Sequence, residues 1–418
     1  MRIAVVGTGI SGLVAAHFLA EHHELVVFEA ADRLGGHTHT HAIELGGNAY
    51  AIDTGFIVFN DWTYPNFIRL LEHLGVPSQA SDMSFSVRSS VTGLEYNGHS
   101  LDTLFAQRMN LLRPSFIGMV REILRFNRTA RTLLELPELE AGPTLAQYLE
   151  RGGYGPRFAQ DYLLPMGAAI WSASHRQMLA FPARYFVQFF ANHGMLSVDE
   201  RPAWRVVRGG SSRYLGPISA PFCAAVRLQT PVRSVRRDTN GVEVTTQAGA
   251  TERFDAAVLA VHAPQALALL ADADPREREV LGAFEYQPNE AVLHTDARLL
   301  PRRKKAWAAW NYHQLGVGPD ARVAVSYHMN RLQSIDGPEQ FLVTLNHTDA
   351  IDPARILRRL AYEHPVYSHT AVAAQRRWSA INGARNTWFA GAYWGYGFHE
   401  DGVKSGLRVA QALGAHTW

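Results

Sequence analysis

The residues best suited to chemistry sit at the two ends of this 418-residue chain. Gly7-Thr8-Gly9-Ile10-Ser11-Gly12 lies between an apolar run at 2–6 and an Ala/Leu-rich stretch at 13–20, and a second apolar run, 25–28, ends at Glu29 and Ala30. Strand, glycine turn, helix, strand and acid fall in the register of a dinucleotide-binding unit. Gly7 permits the tight turn, Gly9 lets backbone approach a pyrophosphate, and Gly12 lets helix and strand pack closely. Ser11 lies in the first helical turn, whose free N–H groups favour an anion. Glu29 is placed to accept hydrogen bonds from ribose hydroxyls. At the other end, Tyr396, Phe398 and His399 precede Gly402-Val403-Lys404-Ser405-Gly406, the expected start of the final helix.

Other patterns carry less. His37, His39 and His41 alternate and share one face of a strand, which a metal site or a loop running into a strand would both explain. The loop is preferred, because the histidines follow Gly35-Gly36 directly. His294-Thr295-Asp296 offers two ligands, too few for a metal, and polar pairs on strands are common. No metal is expected.

Composition bounds what these residues can serve. The chain is 47% hydrophobic and 19% charged, ample for a large core and two or three domains. A net charge of +2 gives no field for nucleic acid. The single cysteine, Cys223, excludes an internal disulfide and suits a reducing compartment. No apolar run reaches membrane-spanning length, and the N-terminus enters a strand without a signal peptide. The expectation is a cytoplasmic protein, at most peripheral to the inner membrane.

Several elements must position the ends. Pro65 and Gly75 bracket a helix over 65–74, and Met83 to Leu101 alternates as strands around a Thr92-Gly93 turn. Residues 103–135 carry six arginines among apolar residues, with Glu122 as the one acid between Leu104 and Leu134. This reads either as a basic amphipathic surface for anionic membrane or as a solvated helix face, with Pro114 breaking any single long helix. Thr144 is the expected N-cap of the next helix. The aromatic stretch 158–193 reads as plain core or as the lining of an apolar tunnel. Short strands over 226–245 and a buried strand over 254–261 follow the glycines at 209–210, and 291–346 reads as mixed β.

Arg33-Leu34-Gly35-Gly36-His37 resembles the RxGGR-type motif of the flavoproteins that include amine oxidases, protoporphyrinogen oxidases and phytoene-type desaturases. The resemblance implies non-covalent FAD rather than NAD, with Arg33, Gly36, His37 and Thr38 along the pyrophosphate and flavin. One departure is His37 where the group has arginine. Asp53-Thr54-Gly55-Phe56 resembles the segment beneath the isoalloxazine ring, implying contacts from Thr54, Gly55 and Phe56. Val232 matches the position that reads adenine. The strand ending at Gly391, followed by Gly402 and Val403, resembles the C-terminal FAD motif, whose helix N-terminus points at the flavin. Ala392 stands where the group usually has an acid, for which Glu400 or Asp401 would substitute. Phe398 replaces the usual tyrosine of the amine oxidase cage, and no cysteine is present to link the flavin covalently there. Lys304 and Lys305 are candidates for the lysine held near the flavin in many amine oxidases.

The implied fold is α/β: a Rossmann-like FAD-binding domain (1–60, 205–265 and 375–418) interleaved with an α+β substrate domain (61–204 and 266–374), as in amine oxidases. The whole pattern resembles bacterial FAD-dependent oxidoreductases associated with cyclopropane-synthase-like lipid methyltransferases. That implies hydride removal from a methylated or unsaturated fatty acyl chain, with Tyr396, Phe398 and His399 at the reacting carbon and His399 or solvent taking the proton. Amine oxidation, double-bond isomerisation and a non-catalytic FAD-binding scaffold remain open. The implied partners are a hydrophobic small molecule or lipid, a lipid methyltransferase and a peripherally touched membrane, and no nucleic acid.

Overall fold

The computed structural model describes residues 1–135, 142–197, 199–316, 318 and 323–418. Its organising element is a five-stranded parallel sheet ordered Val226–Arg227, Glu24–Phe28, Arg2–Val6, Ala256–Leu259 and Thr387–Phe389. The three central strands are apolar almost throughout, as a sheet covered on both faces requires. One face packs on the helices Ile10–Leu19 and His399–Ala412. The other packs on an antiparallel sheet of Val232–Asp238, Gly241–Thr246 and Thr251–Phe254. This is an amine oxidase-like α/β fold.

The second unit is a seven-stranded sheet. Its order is Ile356–Val366, Glu285–His294, Leu342–Leu345, Val323–His328, Trp310–Gln314, Phe85–Ser89 and Glu95–Asn97. Only the Trp310–Gln314 and Phe85–Ser89 pairing is parallel. Helices between residues 114 and 192 cover one region of it, and their apolar faces form a core with Val87, Tyr96 and Tyr312.

The local expectations fare well where end signals are strong. Pro65–His73 is a helix with Pro65 in its first turn, and Gly75 follows at φ +65°. Thr144 caps Leu145–Arg151 through a reciprocal capping box with Gln147. Pro114 begins a helix that runs to Thr129. Two expectations shift. The final helix starts at His399, three residues before Gly402, because Asp401 reaches back to accept the Phe398 N–H at 3.0 Å. The cofactor unit also reaches past the boundaries drawn at 60, 265 and 375. Phe67, Leu70 and Leu71 bury against the first and last helices, while Val280, Leu281, Phe284, Ala371 and Ala374 bury on the opposite face of the sheet. Amphipathic helices go to the nearest apolar face, whichever stretch of chain carries them.

Candidate active site

Three glycines shape the first turn in three different ways. At Gly7 (φ +98°) a Cβ would lie 2.5 Å from the Ala260 carbonyl oxygen, and at Gly12 it would lie 2.1 Å from the Gly7 carbonyl oxygen. These two are demanded by packing. A Cβ on Gly9 would meet nothing within 4 Å, since it faces an open cavity. The helix Ile10–Leu19 has no acid in its first turn and no side-chain cap, so its first N–H groups are available to an anion. Glu29 is pinned at the strand end. Its Oε2 accepts the Thr8 N–H (2.9 Å) and the Thr8 hydroxyl, and its Oε1 accepts the Ala31 N–H (2.8 Å). Oε1, with one bond made, keeps capacity for a ribose hydroxyl.

The second glycine loop rests on the first. The Gly35 N–H donates to the Thr8 carbonyl at 3.0 Å, and Gly36 (φ +56°) passes so close to Gly9 that a Cβ would lie 3.1 Å from its Cα. Arg33 departs from expectation. Its guanidinium donates to the carbonyls of Leu34, Gly36 and Thr38, at 3.2, 2.8 and 3.0 Å. It clips the loop and does not line the cavity. His37 does line it, and its Nε2 is buried without a hydrogen-bond partner. Burial first, then the neighbouring His364 and His262, push the His37 imidazole down to about 3.

Asp53 joins three segments. It accepts from Thr40 Oγ1 (2.5 Å), Ser211 N–H and Oγ (both 2.9 Å) and Gln333 Nε2 (3.1 Å). Burial pushes its carboxyl up to about 6. The knot holds Thr54-Gly55-Phe56 under the cavity. A Cβ on Gly55 would lie 2.0 Å from the His37 carbonyl oxygen, and the Phe56 N–H donates to that oxygen at 2.8 Å.

One continuous cavity of 1540 Å³ joins these features. Gly7, Gly9, Ser11, Glu29, Ala30, Gly36, His37, Thr54, Gly55, Phe56, Val232, Gly391, Tyr396, Phe398 and His399 line it, all sequence candidates. Gly12, Arg33, Thr38, Gly402 and Val403 stand behind its wall. Thr38 is buried with its hydroxyl 2.5 Å from that of Tyr214. At Gly402 a Cβ would lie 2.5 Å from Ile10 Cγ2, so this glycine lets the last helix cross the first. Glu400 and Asp401 do not replace the missing acid at Ala392. Glu400 accepts the Phe67 N–H at 2.9 Å, and Asp401 caps its own helix. The donor set fits FAD: an open glycine cradle at a helix N-terminus, a ribose-directed acid, an orphaned imidazole and a second helix beginning at the same cavity.

His399 is enclosed. Its ring stacks on Phe56 at 3.7 Å, and its Nε2 lies 2.8 Å from the Tyr214 hydroxyl. Burial, reinforced by the charge of His37, pushes its imidazole down to about 3. Its ring supports Phe56 at the cavity wall. Lys304 and Lys305 lie outside the cavity: Lys304 sits over the Trp307 ring at 5.9 Å, and Lys305 pairs with Asp102 at 3.1 Å. His294 and Asp296 are structural, bonded to Thr344 and Arg298. Among the described residues no group of three or more His, Cys, Asp or Glu is arranged to hold a metal ion.

The far half of the cavity is apolar. Tyr162, Met166 and Ile170 line it at i, i+4, i+8 spacing, followed by Trp171 and Phe189. Phe158, Phe181, Phe186 and Phe190 of the same aromatic stretch are core. Trp310 and Tyr327, directly opposed across two strands, close another wall with Phe85 and Trp204. Sequence reasoning did not single out Phe85, Trp204, Trp310, Tyr327, His193, Arg201 or Arg331 as site residues, although the i, i+4, i+8 signal was present at 162–170. Besides Glu29, two carboxylates line the cavity and both are paired, Asp82 with Arg331 at 2.8 Å and Glu363 with His262 Nδ1 at 3.0 Å.

A family model described as flavin containing amine oxidoreductase matches residues 10–322. Among curated proteins, the chain is 49% identical over 55 residues to the flavin-dependent L-tryptophan oxidase RebO of Lentzea aerocolonigenes, covering 13% of this chain and 12% of that one. It is 24% identical over 261 residues to an L-amino acid dehydrogenase of Synechocystis sp., covering 59% of this chain and 52% of the relative. The match thus spans about half of the longer-matching relative and a small part of the other. Among solved structures, cyclohexylamine oxidase from Brevibacterium oxydans superposes with TM-score 0.70 at 16% identity, over 99% of this chain and 98% of that one. A fatty acid isomerase from P. acnes superposes with TM-score 0.68 at 17% identity, over 99% of both chains.

Proposed function

The chain belongs to the family of flavin containing amine oxidoreductases, and we propose that within this family of FAD-dependent oxidoreductases it oxidises a methylated or unsaturated fatty acyl chain. The observation that carries this reading is the far half of the cavity, where aromatic and methionine side chains meet no unpaired carboxylate: Asp82 is bonded to Arg331, and Glu363 to His262. An ammonium group entering there would lose its water without gaining a free counter-charge, whereas an acyl chain gains by leaving water. Bound FAD supplies a two-electron acceptor for a hydride leaving an activated C–H bond.

The residues do the rest by position. Trp310, Tyr327, Phe189 and Met195 hold the chain and exclude water, and Phe398 and Tyr396 bound the place where the two halves meet. Phe398 stacks on Phe189 at 5.2 Å, so this wall presents carbon and no hydroxyl. Burial makes the His399 imidazole a weak base, and in this reading solvent at the open end of the cavity is the proton acceptor. His99 and Arg201, exposed and lining the cavity, suit a polar or anionic head.

A second reading, oxidation of an amine or amino acid, draws support from the named activities of the curated relatives. One anaerobic experiment separates the two: oxidised protein is mixed with methylated unsaturated phospholipids and, separately, with an amine panel, and flavin absorbance is followed. Bleaching by the lipids alone supports acyl oxidation. Bleaching by amines alone overturns it. No bleaching by either moves the reading to double-bond isomerisation or a scaffold, which product analysis of the lipid sample tells apart.

A further inference from the structure

Among the described residues nine large apolar side chains are strongly exposed, and five of them fall between residues 101 and 124. Leu101, Met109, Leu111, Leu112 and Leu124 are 52–76% exposed. Such a concentration is not the ordinary scatter of single apolar residues over a surface. Arginines accompany it. Residues 101–131 carry six arginines and two acids, and one acid, Asp102, already bonds Arg108 and Lys305. The other, Glu122, is half-buried and accepts the Gly155 N–H at 2.8 Å. On the helix Pro114–Thr129, Arg121, Leu124 and Arg128 are exposed at i, i+3, i+7 spacing, and Arg131 continues the stripe. Exposed Arg302, Arg303, Lys304 and Lys305 lie on a loop joined to the same region: the Asn97 amide donates to the Trp307 carbonyl at 3.0 Å.

The position of this surface matters as much as its chemistry. Gly98 and His99 are exposed and line the cavity, and Leu101 follows two residues later. Ser100 begins the helix Leu101–Leu104 with a reciprocal capping box to Thr103, so the step from cavity mouth to apolar surface is structurally defined. We propose that Leu101–Leu112, with the stripe Arg121, Leu124 and Arg128, docks on an anionic lipid bilayer and sets the cavity mouth against it. The leucines and Met109 enter the acyl boundary while the arginines meet lipid phosphates. Charge complementarity selects this occupant over a second copy of the chain, which would bring the same cations face to face. The inference rests on the acyl reading of the cavity for its purpose, not for its binding.

The test is flotation of the FAD-loaded full chain with vesicles of phosphatidylglycerol and phosphatidylcholine, and with phosphatidylcholine alone. Binding to the anionic vesicles, weakened by salt, is expected. The Leu111→Asp/Leu112→Asp double variant is expected to lose it while keeping its flavin absorbance. Arg121→Gln and Arg128→Gln are each expected to weaken it about fivefold. Absence of binding to anionic vesicles at low salt overturns the proposal, as does binding that none of these variants changes. A dimer in solution that Leu111→Asp/Leu112→Asp dissociates, without vesicle binding by the unaltered chain, assigns the face to a second copy instead. Vesicle binding without flavin bleaching by the bound lipids would sink the acyl reading and leave the docking face standing.

Discussion

The two halves of the cavity are made in opposite ways. The cofactor half is largely backbone: missing Cβ atoms at Gly7, Gly9 and Gly36, two helix beginnings, and a carboxylate fixed by N–H groups. Its parts come mainly from short contiguous runs. The far half is almost entirely side chains, with Phe85, Tyr162, Phe189, Trp204, Trp310 and Tyr327 arriving from separate strands and helices. A site built from backbone leaves a spacing pattern in the chain. A site built from side chains on remote elements leaves only a composition.

The largest expected effect tests the backbone half at its tightest point. Gly12→Val would place a Cβ against the Gly7 carbonyl oxygen, whereas Gly9→Ala would point one into open cavity. Gly12→Val is expected to lower the Tm of the FAD-free protein by several degrees or prevent folding, whereas Gly9→Ala is expected to leave that Tm in place and weaken FAD binding, because its Cβ would enter the pyrophosphate cradle. An equal fall in the Tm of the FAD-free protein in both would break the distinction between packing and cradle glycines. Next, Glu29→Ala removes charged acceptors and is expected to raise the FAD dissociation constant about 10- to 100-fold, read by flavin fluorescence on titration. Its effect on the KM for lipid in FAD-saturated protein should be small.

The mirror experiment sits in the far half. Trp310→Ala is expected to raise the KM for an acyl substrate about tenfold with FAD retention unchanged. A fall in FAD affinity instead would show that the halves are energetically one site. The smallest effect concerns protons. His37, His193, His364 and His399 are held down to about 3 or 4 by burial. The unfolded chain therefore binds more protons at these positions below its ordinary value of about 6.5, and stability is lost as pH falls through that window. Asp53 and Asp401, both pushed up to about 6 by burial, act oppositely, because the folded form keeps their protons more tightly between about 4 and 6. Four histidines outweigh two acids, so thermal scans should show Tm falling by several degrees from pH 6.5 to 4. His399→Asn should flatten that slope and leave the neutral limb of the kcat/KM profile in place. A shift of that limb would restore His399 as the base.

How much was legible follows from where information sits along the chain. The dinucleotide unit, the helix at 65–73, the Thr144 cap and the strand before Gly391 were readable, because each depends on residues only a few positions apart. The residue type of Arg33 suits phosphate, but its neighbours offer three carbonyls, and these take its guanidinium instead. The sequence points to Gly402 as the start of the final helix, but that glycine is the point where two helices cross, and the helix starts at His399.

The sequence by itself determined the cofactor unit, since a phosphate cradle needs glycines at fixed spacing before a helix, and that requirement is local. It also showed that the stretch 158–193 is rich in aromatics, without deciding between core and cavity lining. Only the tertiary structure decided which aromatic residues face the cavity and which fill the core, that Asp82 is spent on Arg331, that His399 stacks on Phe56 and meets Tyr214, and that the arginine-rich surface begins beside the cavity mouth. Those outcomes depend on the side of each element that meets a partner remote in sequence, and neither residue type nor short-range spacing carries that information.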